Sequence, residues 1–286
     1  MWKHAIPLFA VLVLIAGTVP ARGAEIAPDR SVTYKTVDGA ELKLDIFEPA
    51  GLQSTDHRPA IVFFFGGGWN GGSPQQFYQQ ARVMADQGML AFSADYRVAS
   101  GHKTTPFECV QDGKSAIRWV REHAAELGVD PDRIVAAGGS AGGHVAACTG
   151  VIHGQEEPGE MTQISSVPNA MILFNPVLDT TGKGYGEKKF KPEQQTGLSP
   201  CHHVGKGIVP TLVFHGTADK TVPFENAERF ARLMQEAGNE CQLIPFEGKD
   251  HGFFNSSSFR KANGDDDYHQ TMKQSIEFLN SHGLLK

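Results

Sequence analysis

The residues whose types and spacing suit covalent chemistry here are a serine, an aspartate and a histidine, each in a glycine-marked loop. Ser140 sits in Gly138-Gly139-Ser140-Ala141-Gly142. With 15 serines and 32 glycines in 286 residues, chance yields roughly 0.2 G-x-S-x-G matches, so the bare motif decides little. Its setting decides more: the strand-like run Ile134–Gly138 leads in, and the alanine-rich, helix-like Ala141–Val151 leads out. So sharp a strand-to-helix turn projects the hydroxyl above a sheet, at the positive end of the helix. A hydroxyl is a poor nucleophile until a base takes its proton, and that base needs a carboxylate to orient it. Downstream, Asp219 closes His215-Gly216-Thr217-Ala218-Asp219, after the strand-like Thr211–His215. His251 lies in Asp250-His251-Gly252-Phe253, after Cys241–Phe246. Parallel sheets put their sites in loops just past strand C-termini. Ser140, His251 and Asp219 are therefore the candidate nucleophile, base and orienting acid.

Competing residues have plainer expected roles. Asp179 follows the next strand and is the rival acid, while Asp250 adjoins His251 and is badly placed to reach its ring. His215 is expected to bond backbone, His144 to pack, and His202 and His203 to be solvated or capping. Cys201-His202-His203 has no second ligand cluster in register, so no metal is expected. The third chemical element is Phe65-Gly66-Gly67-Gly68-Trp69. Consecutive glycines let backbone N–H groups approach a ligand closely, as an oxyanion hole requires. The predicted donors are the amides of Gly66, Gly67 and Ala141, with Gly68 as a further candidate. The loop lacks the GK[ST] ending of a phosphate loop and does not fit the G-x-G-x-x-G dinucleotide spacing.

The elements that must position these loops alternate along the chain. Ser31–Val37 and Glu41–Phe47 flank Asp38-Gly39, a hairpin signal, and Ala60–Phe65 reads as a strand buried on both faces. Helix-like Gln75–Gln87, strand-like Met89–Ala94 and one helix over Thr105–Leu127 follow, then a turn at Asp130-Pro131-Asp132. After the elbow come strand Ala170–Phe174, an unpatterned stretch from Asp179 to Gly207, strand Thr211–His215, helix Phe224–Ala237, strand Cys241–Phe246 and helix Asp266–Leu279. This order predicts an α/β fold: one mostly parallel central sheet with an N-terminal antiparallel hairpin and helices on both faces, as a single domain over 24–286.

Composition narrows the partners. The chain is 40% hydrophobic with net charge −6, and no Lys/Arg run exceeds a pair such as Lys188–Lys189, which argues against a nucleic-acid binder. Lys3, the apolar run Ala5–Ala16 and the small residues after it read as a signal peptide over 1–23, cut after Ala21 or Gly23. Twelve apolar residues are too few to span a bilayer comfortably, so no stable membrane span is expected after cleavage. Export to a periplasmic or extracellular, oxidising space follows. Four cysteines allow three pairings into two disulfides, but a fold this large needs no staples, and buried free thiols are the expectation. Nothing in the sequence sets an oligomeric state.

Six segments together resemble a known family: Gly66-Gly67-Gly68-Trp69, Ala94-Asp95-Tyr96-Arg97, Asp130-Pro131-Asp132-Arg133-Ile134, the Gly138–His144 elbow, His215-Gly216-Thr217-Ala218-Asp219 and Asp250-His251-Gly252-Phe253. In this order they resemble the α/β-hydrolase esterases related to hormone-sensitive lipase, particularly a secreted bacterial branch of acetyl and acetylxylan esterases. The resemblance runs from about Ala60 to Phe254. Ser140, Asp219, His251 is also the chain order of an α/β-hydrolase triad. One departure matters: members usually carry His before the three glycines, thought to brace the oxyanion loop, and this chain has Phe65.

The resemblance implies two-step acyl transfer without metal or cofactor, on a small-molecule or oligosaccharide ester. Residues 179–207 are the natural lid, and Trp69 is expected to line the acyl or alcohol side. A short-chain ester, an acetyl group on a carbohydrate, is the leading expectation; a feruloyl-type esterase or arylformamidase is the alternative. A peptidase of this fold usually carries a large gating domain, and a non-catalytic binding protein typically lacks a triad member, so both rank lower.

Overall fold

The computed structural model describes residues 26–261 and 264–285; the expected signal peptide over 1–23 lies outside the described residues. Eight strands form one sheet: β1 (Arg30–Val37), β2 (Ala40–Phe47), β3 (Arg58–Phe64), β4 (Leu90–Ala94), β5 (Val129–Gly139), β6 (Ala170–Phe174), β7 (Thr211–Gly216) and β8 (Cys241–Phe246). Their spatial order is β1-β2-β4-β3-β5-β6-β7-β8. β1 and β2 form the expected antiparallel hairpin, β2 pairs antiparallel with β4, and every pairing from β4 onward is parallel. Among the described residues seven α-helices join them: α1 (Tyr78–Asp86), α2 (Ala99–His102), α3 (Pro106–Glu122), α4 (Ala124–Leu127), α5 (Ala141–Val151), α6 (Phe224–Glu236) and α7 (Asp266–Ser281).

Alternation along the central strands builds a core on each face. On β3, Ala60, Val62 and Phe64 join the cluster beneath α3, α5 and α6, whereas Ile61 and Phe63 join the one beneath α1 and α7. β6 does the same, with Met171 and Leu173 on the first face and Ala170, Ile172 and Phe174 on the second. This layering sets the C-terminal ends of β3, β5, β7 and β8 along one end of the parallel sheet, with β6 between β5 and β7, and the chemical loops leave from those ends.

Three expectations about elements are corrected. The helix expected over Thr105–Leu127 breaks at His123, whose non-helical backbone separates α3 from α4 and whose ring stacks on Trp119 at 4.2 Å. The expected turn at Asp130-Pro131-Asp132 lies inside β5, because Arg58 pairs with Val129 across a register shift. The helix expected from Gln75 opens as a 3-10 turn, Pro74–Phe77, before α1. All four cysteines are buried free thiols. Among the described residues no helix is long and apolar enough to cross a membrane.

Candidate active site

Ser140 stands between β5 and α5 with φ 56° and ψ −120°, a backbone conformation costly for a residue with a side chain. The surroundings hold it there. Its N–H donates to the Phe174 carbonyl at 2.9 Å, and its carbonyl accepts from His144 at 3.0 Å, at the start of α5. The helix can press this closely on β3 only because position 142 is glycine: a Cβ there would stand 2.1 Å from the Phe64 carbonyl oxygen.

The structure brings the three chemical side chains into one line. His251 Nε2 lies 2.8 Å from Ser140 Oγ, and His251 Nδ1 lies 2.7 Å from Asp219 Oδ2. The Asp219 side chain is shut off from solvent, while that of His251 is 25% exposed, open to an incoming molecule on one side. Burial opposes ionisation of Asp219. Hydrogen bonds from His215, His251 and the Val222 amide outweigh it and hold the carboxyl well below the ordinary range. The Thr221 amide at 2.8 Å and the Val222 amide at 3.0 Å both point at Oδ1, leaving Oδ2 for the imidazole.

The glycine loop leaves β3 beside Ser140. Gly67 has φ 132°, and a Cβ there would meet the Gly71 carbonyl oxygen at 2.0 Å, so this bend requires glycine. Among the described residues, the Gly67 and Ala141 N–H groups have no acceptor, as donors awaiting an oxyanion must. Gly66 is a correction: its N–H donates to Gln76 Oε1 at 2.6 Å and is already used. Gln76 in turn donates from Nε2 to Asn255 Oδ1 at 2.9 Å. Tyr96 donates to the Phe65 carbonyl at 2.5 Å and stacks on the Phe65 ring at 4.1 Å. The loop is thus braced by Gln76 and Tyr96, with Phe65 packed against the second of them.

A cavity of about 480 Å³ opens over Ser140 and His251, with Tyr185, Phe254, Phe259 and Arg260 on its walls. Trp69 is not on them, a second correction. It is 1% exposed, and its Nε1 donates to His144 Nδ1 at 3.3 Å beneath the covering stretch 179–207. Tyr185 and Phe190 from that stretch pack on its ring at 5.8 and 6.0 Å, so Trp69 seats the cover while Tyr185 reaches the cavity. The bulky ring directly after three glycines fills the space under the loop rather than the space above it.

The rival residues are occupied elsewhere. Asp179 is buried and accepts from Arg229 Nη1 at 2.5 Å and from Thr181, tying down the cover. Asp250 turns its Oδ1 to the Gly252 amide. His144 Nε2 donates to the Leu198 carbonyl at 2.6 Å, and burial pushes this imidazole down to about 4. His215 bonds the Val222 carbonyl at 3.0 Å, as expected, and also reaches Asp219 Oδ2 at 3.2 Å. Cys201, His202 and His203 take separate partners, Asn226, Ser199 and Thr196. Among the described residues no group of acidic, His or Cys side chains converges to hold a metal. Sequence reasoning missed Gln76, which sits in no fixed-spacing motif; the missing His at Phe65 was the one sign that another brace had to exist.

Comparison with known proteins places the chain among esterases. A family profile described as BD-FAE matches residues 44–184, and the dienelactone hydrolase family matches residues 173–282. A probable isoprenylcysteine alpha-carbonyl methylesterase of Arabidopsis thaliana is 31% identical over 78% of this chain and 50% of its own length. The carboxylesterase NlhH of Mycobacterium tuberculosis is 28% identical over 81% of this chain and 78% of its own. The chain spans between 50% and 58% of the first three curated relatives that it matches. The apo form of Thermogutta terrifontis esterase 2 superposes with a TM-score of 0.86 at 50% identity, covering 92% of this chain and 98% of that one. Its sarin-phosphonylated form gives 0.86 at 48% identity, over 91% and 97%. Half the residues shared over nearly the whole of a known esterase, with the curated methylesterase relative at 31% identity, identify this chain as a member of the α/β-hydrolase esterases related to hormone-sensitive lipase.

Proposed function

We propose that this protein is a serine carboxylesterase that hydrolyses short-chain acyl esters, with acetyl groups on carbohydrate as its lead substrate. The observation that carries this is the 2.8 Å approach of His251 Nε2 to Ser140 Oγ, with Asp219 2.7 Å behind the ring. Ser140 Oγ attacks the ester carbonyl carbon as its proton passes to His251 Nε2. The tetrahedral oxyanion accepts from the Gly67 and Ala141 amides, with Gly68 as a third neighbour. Collapse breaks the C–O bond, and the departing alcohol takes the proton from His251. Water, deprotonated by the same imidazole, then attacks the acyl-serine and releases the acid. Asp219 stays ionised throughout and stabilises the imidazolium.

Propionate- and butyrate-bound forms of the Thermogutta esterase support a short acyl group, and the pattern of residues 1–23 supports export. Tyr185, Phe254 and Phe259 on the cavity wall favour a second reading, an aromatic acyl or aryl ester. Rates over p-nitrophenyl esters from acetate to laurate, beside acetylated xylan and methyl ferulate, separate these readings. Acetate is expected to be fastest, and Ser140→Ala to lower turnover by roughly ten-thousandfold or more. A retained rate in Ser140→Ala overturns the mechanism, a maximum at long chains overturns the short-acyl claim, and a preference for ferulate moves the assignment to the second reading.

A further inference from the structure

Asn175 directly follows β6 and is fully buried, with a left-handed backbone, φ 42°, that asparagine tolerates better than most residues. Its main chain is fixed by donation to the Phe214 carbonyl at 2.8 Å. Its side chain then reaches three places at once. Oδ1 accepts the Gly216 N–H at 3.3 Å, at the end of β7. Nδ2 donates to Asp219 Oδ2 at 3.0 Å and to the carbonyl of Asp250 at 3.3 Å. Asp219 Oδ2 is the oxygen that accepts His251 Nδ1, and Asp250 is the residue directly before His251.

We infer that Asn175 is a positioning residue, which ties the orienting carboxylate to the main chain that carries the base through one amide group. This rests on the catalytic reading of Ser140, His251 and Asp219 given above. A carboxylate on a loop turns about its terminal bond, and an imidazole on a loop follows its backbone. Two donated bonds from one rigid amide remove both freedoms together. His215 Nε2, at 3.2 Å from the same oxygen, closes the remaining side of Oδ2. The strained backbone at Asn175 aims the amide at the gap between the loops after β7 and β8. Phe174, one residue earlier, accepts the Ser140 N–H. The turn after β6 therefore touches the seats of all three groups.

Two substitutions separate positioning from mere folding. Asn175→Gly keeps the left-handed backbone and deletes the amide. Asn175→Asp keeps the shape and the acceptor for Gly216, but sets an oxygen where the donor was. Active sites are titrated with paraoxon, and kcat is expressed per titrated serine. Asn175→Gly is expected to lose about ten- to a hundredfold in kcat with little change in KM. In Asn175→Asp the added carboxyl and Asp219 share a proton at low pH, which restores a donor. Raising the pH removes it and sets two like charges together, so kcat/KM falls toward alkaline pH where the wild type does not. Wild-type kcat per titrated site with unaltered pH profiles overturns the proposal, even where yield or melting temperature has dropped. If one variant does not accumulate, the other decides. Ser140→Ala, run in parallel, keeps the two ideas apart. Activity surviving there defeats the catalytic reading itself, whereas an inactive Ser140→Ala beside normal Asn175 variants defeats only the positioning role.

Discussion

At the oxyanion loop, the side chain of Gln76 accepts the Gly66 N–H and donates to Asn255, so one amide holds the glycines against the segment after His251. Gln76→Leu removes both bonds at similar volume and leaves the Gly66 donor without its acceptor. The loop then moves relative to Ser140, and stabilisation of the developing oxyanion suffers more than ground-state binding. A fall of about tenfold to a hundredfold in kcat with KM nearly constant is expected from steady-state kinetics. An unchanged kcat would assign the bracing to Tyr96 alone. At this scale the sequence was readable for side chains that sit at fixed offsets from glycines, Ser140, Asp219 and His251. It misled where a neighbour distant in sequence decided the outcome. Gln76 takes the Gly66 amide, and a hole beneath the cover takes the Trp69 ring; neither partner is marked by spacing.

At the scale of elements, α5 and the cover 179–207 meet at His144. Its ring accepts from Trp69 and donates to the Leu198 carbonyl, an arrangement that needs the neutral imidazole with its proton on Nε2. Folded, the group titrates near 4, against an ordinary 6.5, because burial disfavours the charged form. The unfolded chain therefore binds a proton between those values that the folded chain refuses, and stability rises with pH across the window. The contribution is fully present above about 6.5 and is lost as pH falls toward 4, about 3 kcal/mol in all. Melting temperatures measured from pH 7 down to 4 should decline, and His144→Gln should flatten that slope; equal slopes would refute the assignment. Long periodic or uninterrupted apolar runs made β3, β6, β8 and α5 legible from sequence, several to the residue. The cover was not legible, since it consists of short 3-10 turns, Glu187–Lys189, Pro192–Gln194 and Pro200–His202, pinned by tertiary bonds such as Cys201 N–H to the Leu178 carbonyl. The break at His123 was hidden for a similar reason: the residues on either side of it are good helix formers, and only packing of the ring on Trp119 marks the joint.

At the scale of the whole molecule, the proposed nucleophile and base have different anchors. Ser140 hangs from β5 in the middle of the sheet, between β3 and β6, while His251 hangs from the loop after β8, which among the described residues pairs only with β7. Half-buried residues along β8 contrast with the fully buried run of β6. Rims of sheets open at lower free energy than their centres. Hydrolysis should therefore fade, on heating, a few degrees before the far-ultraviolet ellipticity does, and amide hydrogens of β8 should exchange ahead of those of β5. Coincident loss of rate and ellipticity, with β8 as protected as β5, would contradict this. The turnover rate becomes a gauge of the edge strand β8. Whatever grips that rim, a ligand, a neighbouring molecule or an engineered cross-link, should lengthen the enzyme's working life without touching a reacting atom.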